Sequence, residues 1–325
     1  MTVDRLRIVF MGTPTFSVPA MEKIHAAHDI LAVYTQPDRP VGRGLEVKCS
    51  PVKERALAYG IEVRQPEKLT LPGEYEKIAE LRPDIIVVVA YGQILRQNVL
   101  DLPRVACINI HSSLLPRWRG AAPIHHAVLA GDAVTGVTTM KMVRELDAGD
   151  IYEQVETKIG ARETATELHD RLALLGGDLI LSTISGLVSG QLQGIPQDTS
   201  KVTVASKLTK EMEVLDPALS AVELDRRVRA LNPWPGTSLL LEIEKNGVVA
   251  TERLKVRQTV PHPTLSPPMG ELQERAGMLV LGTAQGALEI QRLQPEGKKE
   301  LDAASFLNGL KGRGVSLPIR VRSTS

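Results

Sequence analysis

The stretch that decides the fold is Val105-Ala106-Cys107-Ile108-Asn109-Ile110-His111-Ser112-Ser113-Leu114-Leu115-Pro116-Arg117-Trp118-Arg119-Gly120. Its first part is an apolar run that predicts a buried strand, which the chain leaves through two serines before turning at Pro116. Asn109 and His111 are two residues apart, so on an extended chain they point to the same face. A carboxamide and an imidazole at the carboxyl end of a strand suit an active site in an open α/β sheet. Taken alone, the pair is equally compatible with a strand-end cap and an ordinary partly buried histidine.

Apolar runs that read as strands alternate with helical patterns through the first half of the chain. We therefore expect a Rossmann-like, doubly wound, mostly parallel sheet with helices on both faces. Gly12 follows the first strand, but the Gly-x-Gly-x-x-Gly spacing is absent, so we discount a nicotinamide cofactor. Ser17 is the expected N-cap of the first helix. The predicted strands are 6–11, 29–35, 61–63, 84–90, 105–111, 136–143 and 151–155, and the predicted helices are 17–28, 75–81 and 164–188.

The second half of the chain has a different pattern. Residues 190–206 are rich in Gly, Gln, Thr and Ser and predict a linker. Ser220 and Glu223 then form a capping box at the start of a helix, with Arg226 on its outer side. Short strands separated by turns follow at 239–243, 254–256, 270–272, 278–281 and 288–293, which predicts a small β-barrel. We expect domains at 1–189 and 207–318, and a disordered tail at 319–325 that includes Arg320 and Arg322.

Composition sets bounds on the class of protein. A chain of 325 residues suits two domains, and its net charge is +1. Residues through Gly190 carry 21 Lys and Arg against 23 Asp and Glu, whereas the remainder carries 18 against 15, which weakly favours a polyanionic partner for the second half. The two cysteines, Cys49 and Cys107, have no disulfide or zinc spacing. We expect a cytoplasmic monomer with no signal peptide, no membrane-spanning run and no metal.

Residues 109–120 closely resemble the signature of the folate-dependent formyltransferases, and Arg117 to Ile124 resembles the version found in the branch that acts on methionyl-tRNA. The resemblance covers nearly the whole chain. Further matching strings are Gly12-Thr13-Pro14, Gln36-Pro37-Asp38-Arg39-Pro40, Val87-Val88-Val89-Ala90-Tyr91-Gly92, Asn232-Pro233-Trp234-Pro235 and Gly297-Lys298-Lys299.

This resemblance implies transfer of a formyl group from 10-formyltetrahydrofolate, as co-substrate, to the α-amino group of methionyl initiator tRNA. The family motif implies that Asn109, His111 and Asp147 are catalytic, with Asp150 as the second choice for the carboxylate. Either aspartate could also be a simple turn residue beside Gly149. The folate-binding residues that the resemblance implies are Tyr91, Gly92, Ile94, Leu95, Ser113, Leu114, Leu115 and Pro116, although Ile94 and Leu95 could simply be core.

Residues 36–51 contain three prolines and several basic residues, and show no helical or strand period. A loop this long in a compact domain is often functional, although it could be a solvated connection. In the resembling enzymes the matching loop contacts the tRNA acceptor stem, and the barrel is of the oligonucleotide-binding type. The residues thereby expected to bind tRNA are Arg39, Arg43, Lys48, Arg226, Lys298 and Lys299.

Three other functions remain open from the sequence. The chain could formylate a small amine, such as a ribonucleotide or a sugar nucleotide. It could instead hydrolyse 10-formyltetrahydrofolate without any acceptor. It could also be an RNA-binding module without catalysis, although the complete set of Asn109, His111 and Asp147 argues against this. The barrel and the basic helix argue against a small acceptor.

Overall fold

The computed structural model describes residues 5–41, 46–245 and 248–323. Within this part the chain forms two compact units. The first unit contains the residues up to Ile124 together with Ala133–Ile159 and Glu167–Ser206. The second unit contains His125–Asp132, Gly160–Thr166 and the chain from Lys207 onward.

Strands and helices alternate over most of the chain up to residue 206, and the structure adds helices at Pro51–Ala58 and Gln97–Leu100 that the sequence patterns did not predict. The strands are β1 (Arg7–Gly12), β2 (Asp29–Tyr34), β3 (Arg39–Val41), β4 (Glu46–Lys48), β5 (Val63–Arg64), β6 (Ile85–Val89), β7 (Ala106–His111), β8 (Arg119–Gly120), β9 (Val134–Lys141), β10 (Ile151–Lys158) and β11 (Val204–Ala205). The helices are α1 (Val18–Ala27), α2 (Pro51–Ala58), α3 (Glu74–Glu80), α4 (Gln97–Leu100), α5 (Pro123–Ala130) and α6 (Ala165–Val188).

The main sheet of the first unit has seven strands in the order β10-β9-β7-β6-β1-β2-β5. Strands β5, β2, β1, β6 and β7 are parallel, whereas β9 and β10 are antiparallel to their neighbours. The chain winds outward from β1 to β5 and then returns to the other side of β1 with β6, so the carboxyl ends of β1 and β6 flank a topological switch point. The predicted Rossmann-like, mostly parallel sheet is confirmed.

Both faces of the parallel strands are buried, which explains their nearly continuous apolar sequences. All five residues of β6 are buried. Its Ile86 and Val88 belong to a cluster with Cys107 of β7 and with Ile78 of α3. In β7, Ile108 and Ile110 point to the other face, where a Cβ added at Gly176 of α6 would lie 3.0 Å from Ile110. Asn109 and His111 therefore continue the face of Cys107 as the strand leaves the apolar cluster.

Ser17 does not cap α1, contrary to the expectation from the sequence. It stands at the N-cap position, but it has helical dihedral angles and its side chain makes no capping hydrogen bond. Its hydroxyl instead donates to the carbonyl oxygen of Val89 at 2.7 Å. Because Ser17 is fully buried, this bond satisfies its hydroxyl inside the core next to the end of β6.

Helix α6 corrects the expectation that no apolar run reaches the length of a membrane span. By length and composition this 24-residue helix qualifies as a candidate span, because an 18-residue window within it has a mean hydropathy of 1.5. A core helix of a soluble protein passes the same test, and one face of α6 is buried at Leu168, Leu172, Ile180 and Ile184. This pattern is the one expected for a helix packed on a sheet.

The second unit is built on a closed antiparallel barrel, which confirms the predicted β-barrel. Six strands pair in a ring, and β17 adds to the edge of β16. Helix α7 begins with the predicted capping box of Ser220 and Glu223. The elements are α7 (Ala221–Leu231), β12 (Ser238–Lys245), β13 (Val248–His262), β14 (Glu271–Arg275), β15 (Met278–Gly282), β16 (Ala287–Pro295), β17 (Leu301–Asp302), α8 (Ala303–Gly312) and β18 (Ile319–Val321).

Strand β18 lies where the sequence predicts a disordered tail, and that prediction was wrong for Ile319–Val321. The strand pairs with β12 on one side and with β14 on the other, so it closes the barrel. Ile319 and Val321 are buried in the barrel core, and Arg320 between them points outward. Three residues carry too little pattern to be recognised as a strand from the sequence.

Two glycine substitutions test this packing. A Cβ at Gly136 of β9 would lie 2.1 Å from the carbonyl oxygen of Val155, so we expect Gly136→Ala to destabilise the fold by about 1–3 kcal/mol. A Cβ at Gly309 of α8 meets nothing within 4 Å, so Gly309→Ala should stabilise by about 0.5–1 kcal/mol through helix propensity. Urea denaturation measures both effects. A Gly136→Ala chain as stable as the parent would contradict the close β9–β10 approach.

Candidate active site

The end of β7 and the two loops beside it form the candidate active site of the first unit. Asn109 and His111 are 8% and 6% exposed, respectively. Nε2 of His111 lies 2.9 Å from the carbonyl oxygen of Trp118. A carbonyl oxygen can only accept, so this nitrogen carries the hydrogen and Nδ1 is the nitrogen that faces elsewhere.

Nδ1 of His111 faces the carboxylate of Asp147, with 3.7 Å between Nδ1 and Oδ2. This separation is too long for a hydrogen bond but is suitable for an ion pair with a protonated imidazole. Oδ2 of Asp147 accepts a hydrogen bond from the backbone N–H of Gly120 at 2.8 Å. Asp147 is therefore the aspartate that lies against His111. Asp150 instead pairs with β9, since its main-chain oxygen accepts a hydrogen bond from the N–H of Lys141.

The side-chain amide of Asn109 makes no hydrogen bond to any other residue in the described part of the chain. Asn109 is nevertheless buried, and it shares a strand face with His111. Its amide is not one of the fully buried, unpartnered side-chain groups of the described residues, which are His28 Nδ1 and Tyr91 Oη, so it reaches the surface of the site. The amide is consequently available to donate to a ligand oxygen beside the imidazole.

The turn that follows β7 is held by hydrogen bonds within the unit. Ser113 is fully buried, and its hydroxyl donates to the carbonyl oxygen of Arg117 at 2.6 Å. The hydroxyl of Thr138 donates to the carbonyl oxygen of Ser113 and accepts from the N–H of Leu115, whose side chain is also buried. Ser113 and Leu115 thus fix the shape of the turn, while Leu114 and Pro116 remain partly exposed.

In the loop after β6, Ile94 and Leu95 have different surroundings, although the sequence alone left both as either core or ligand-facing residues. Leu95 is 4% exposed and belongs to the apolar cluster beneath the sheet, whereas Ile94 is 82% exposed. The side chain of Tyr91 is buried, and its carbonyl oxygen already accepts from Thr13 and Gln36. Gly92 has φ +86° and is exposed. A cleft of about 460 Å³ opens here, lined by Ile94, Leu95, Arg96, Gln97, Asn98 and Arg144.

The segment 36–51 is not wholly irregular, because its described residues form a two-stranded hairpin. Strands β3 and β4 pair antiparallel, with Arg39 directly opposite Lys48. Both cations therefore lie at the base of the hairpin. Beside the hairpin, the ammonium group of Lys53 binds the carboxylate of Asp38, and this hydrogen bond lowers the pKa of Asp38. Arg43 lies outside the described residues.

The expected basic residues of the second unit differ in their surroundings. Lys298 and Lys299 are exposed in the turn between β16 and β17. Arg226 of α7 instead donates to the carbonyl oxygen of Ala130 at 3.3 Å, within the same unit. Its guanidinium packs on Gly131 so closely that a Cβ there would lie 2.0 Å away. The structure thus separates two exposed lysines from an arginine with a local partner.

Three further residues support the site, and two of them, Thr203 and Gln197, have no distinctive sequence signal. Thr203 accepts a hydrogen bond from the N–H of Trp118 at 2.8 Å, and β11 beside it pairs with β8. Gln197 binds the loop of Asp147. Gly149 is required because a Cβ there would lie 1.8 Å from the carbonyl oxygen of Lys141. Of these, only Gly149 stands out in the sequence, as a glycine two residues after the expected catalytic aspartate.

Two further chemistries have little support in the described part of the chain. No three His, Cys, Asp or Glu side chains are grouped there to hold a metal ion. Cys107, two residues before Asn109, is buried, and burial raises the pKa of its thiol. A thiol that resists ionisation is a poor nucleophile.

Comparison with known proteins gives a consistent result along the chain. Residues 6–184 match the formyl transferase family model, and residues 207–311 match the model of the formyl transferase C-terminal domain. The methionyl-tRNA formyltransferase of Halorhodospira halophila is 46% identical, over 93% of this chain and 96% of the relative.

Solved structures share the fold at lower identity. The N-formyltransferase from Helicobacter canadensis, in complex with folinic acid and dTDP-3-aminofucose, has a TM-score of 0.66 at 17% identity, covering 88% of this chain and 99% of that one. HypX from Aquifex aeolicus, in complex with tetrahydrofolic acid, has a TM-score of 0.58 at 18% identity, covering 95% of this chain and 48% of that one. The high identity over nearly the full length, together with the two family models, shows that the chain belongs to the methionyl-tRNA formyltransferase family.

Proposed function

We propose that the chain transfers the formyl group of 10-formyltetrahydrofolate to the α-amino group of methionyl initiator tRNA, for translation initiation in the cytoplasm. The observation that carries the proposal is the arrangement of His111 between the Trp118 carbonyl and the Asp147 carboxylate, beside the available amide of Asn109. The family membership supports the same reaction. We further propose that residues 1–189 are the catalytic domain of a monomer. The tRNA-binding domain, expected from the sequence at 207–318, is proposed to extend to Val321, because β18 closes its barrel.

The reaction requires a neutral amine and a group that stabilises negative charge on oxygen. An α-amino group with a pKa of about 7.7–8.0 is partly neutral at physiological pH. Its nitrogen attacks the formyl carbon, and the carbonyl electron pair moves to the oxygen. The Asn109 amide donates to this oxygen, and the neighbouring His111 assists.

Collapse of the tetrahedral intermediate breaks the bond between the formyl carbon and N10 of the folate. The attacking nitrogen loses a proton, and the departing N10 gains one. Asp147 holds His111 with Nδ1 toward its carboxylate, and the pair relays this proton. The left-handed backbone at Asp147, with φ +50°, fixes the direction of the carboxylate toward the imidazole.

The folate is proposed to bind in the cleft at the carboxyl end of β6, next to the switch point of the sheet. An exposed Ile94 beside a buried Leu95 offers an apolar surface to a flat ring, and the backbone at Gly92 can approach it closely. The turn after β7 supplies the other proposed folate contacts, in which the buried Ser113 and Leu115 fix the shape and the partly exposed Leu114 and Pro116 are available to touch the ligand.

The tRNA is proposed to bind through basic groups in both units. Arg39 and Lys48 at the base of the hairpin, with Arg43 between them in the sequence, would neutralise phosphates of the acceptor stem. Lys298 and Lys299 would do so on the barrel, because both are exposed. Arg226 is the weakest member of the set, since its guanidinium already donates to Ala130.

The alternative functions have less support. Sugar N-formyltransferases share the fold, but at identities that carry no substrate information. A hydrolase or a pure RNA-binding module does not need a C-terminal domain and an intact catalytic set together. High identity to methionyl-tRNA formyltransferases over both domains favours the aminoacylated tRNA as acceptor.

The acceptor is tested by incubating the chain and labelled 10-formyltetrahydrofolate with charged initiator tRNA, charged elongator tRNA, free amino sugars or no acceptor. We expect rapid formylation of methionyl initiator tRNA, slower reaction with the elongator, and no consumption of donor otherwise. Formate release without an acceptor would indicate the hydrolase, and formylation of a free amine would indicate the small-acceptor enzyme.

Substitutions at the two strand residues test the catalytic assignment. Asn109→Ala and His111→Ala should each lower kcat about 100- to 1,000-fold, since removing one donor to a developing oxyanion costs about 3–4 kcal/mol. Binding of tRNA, measured by filter retention, should stay near that of the parent chain. Asn308→Ala, at an exposed position of α8, is the control and should keep full activity. Wild-type rates in both site variants would refute the assignment.

The hairpin is tested by Arg39→Ala, Lys48→Ala and Arg43→Ala. Each should raise KM for methionyl-tRNA and reduce the salt dependence of tRNA binding by about one phosphate contact, while KM for folate stays unchanged. Arg104→Ala is the matched control, because Arg104 is an exposed arginine at the opposite, amino-terminal edge of the sheet, paired with Asp84. If the hairpin variants match this control, tRNA does not contact the hairpin.

A further inference from the structure

The carboxamide of Gln197 joins two segments that carry candidate catalytic groups, and we propose that Gln197 is a positioning residue that holds Asp147 against His111. This role rests on the proposed function, because its effect is read as formyl transfer. Gln197 is 9% exposed and lies in the segment 190–206, whose composition predicts only a linker.

Every hydrogen-bonding position of the Gln197 amide is occupied. Its Oε1 accepts from Nε and Nη2 of Arg119 at 3.0 and 2.7 Å. Its Nε2 donates to the carbonyl oxygens of Asp147 and Gly149 at 2.8 and 2.7 Å. A primary amide has two N–H donors and one oxygen with two lone pairs, so no capacity is left over. No other side-chain type provides both halves of this pattern at the same length.

The four bonds close a ring with the catalytic pair. Gly120, the neighbour of Arg119, donates its N–H to the Asp147 carboxylate. Asp147 is thus held twice, through its side chain by Gly120 and through its main chain by Gln197. Its left-handed dihedral angle, φ +50°, is uncommon for a residue other than glycine and persists only where the surroundings enforce it. Gln197 supplies this enforcement.

Loss of the amide would leave the carbonyl oxygens of Asp147 and Gly149 without their donor and would free the loop between β9 and β10. The 3.7 Å separation of Asp147 and His111 would then no longer be fixed. A misplacement of about 1 Å in a catalytic group can lower the rate about 100-fold. Gln197 touches no reacting atom in this scheme, so its removal should affect kcat and leave substrate binding nearly unchanged.

A double-mutant cycle tests the role. We compare Gln197→Leu and Gln197→Glu, alone and combined with Asp147→Asn, in single-turnover formylation of methionyl-tRNA. Each single Gln197 variant should lower kcat about 10- to 100-fold, with both KM values within about threefold. Gln197→Glu keeps the oxygens for Arg119 but lacks the N–H donors, so it should fail as Leu does. In the Asp147→Asn background either Gln197 substitution should lower kcat by less than about threefold, because the carboxylate that Gln197 positions is already absent.

The control is Gln294→Glu. Gln294 also accepts from an arginine, Arg257, and donates to a main-chain carbonyl, that of Lys298, but in the barrel. It should keep the parent kcat. Two results would overturn the positioning role. One is that the kcat losses of the single variants multiply in the double variants, and the other is that Gln197→Glu keeps the parent kcat. If Gln197→Leu does not fold, the Gln197→Glu cycle decides alone. A parent chain that formylates no methionyl-tRNA would overturn the proposed function instead.

Discussion

The carbonyl oxygen of Trp118 can only accept a hydrogen bond, and this constraint orients the whole site. It requires the hydrogen of His111 to be on Nε2, so Nδ1 points at Asp147. The carbonyl itself is held in place by a strained residue, since Trp118 has φ +64° and its N–H donates to Thr203. The orientation of one imidazole therefore depends on three separate segments of the first unit, which contribute the main chain of Trp118, the hydroxyl of Thr203 and the carboxylate of Asp147. Such over-determination is how a fold maintains an uncommon backbone conformation at a functional site.

The sheet explains why these segments meet. Parallel strands buried on both faces end at one edge, and polar side chains that would be costly within the core become useful at that edge. In β7 the change occurs within one strand face, from Cys107 in the apolar cluster to Asn109 and His111. Strand β9 runs antiparallel to β7 and ends beside its middle, with Lys141 opposite Ile108. The loop before β10 then brings Asp147 back to the end of β7, 3.7 Å from His111. The path of this loop, and not the direction of β9, thus brings the carboxylate to the imidazole.

Much of the fold could be predicted because long apolar runs and helical periods are strong local signals. The buried strands of the first sheet and the capping box of α7 follow from them directly. Structural features that depend on partners far along the chain could not be predicted from local sequence. Ser17 has the composition of a helix cap, yet a carbonyl from β6 competes for its hydroxyl and takes it. Strand β18 has three residues and exists because β12 and β14 leave a gap between them. The hairpin of β3 and β4 is similarly short and rich in proline and charge.

The candidate site shows the same limit in a sharper form. Asn109, His111 and Asp147 were found through a resemblance to a known motif, and the geometry brings His111 and Asp147 together. Gln197 and Thr203 were missed because a polar segment without an apolar period reads as a linker. Polar side chains contribute to a fold when their hydrogen bonds are specific rather than when their composition is distinctive. A segment whose amide and hydroxyl groups bind the main chain at Asp147 and Trp118 therefore acts as part of the site, whatever its hydropathy.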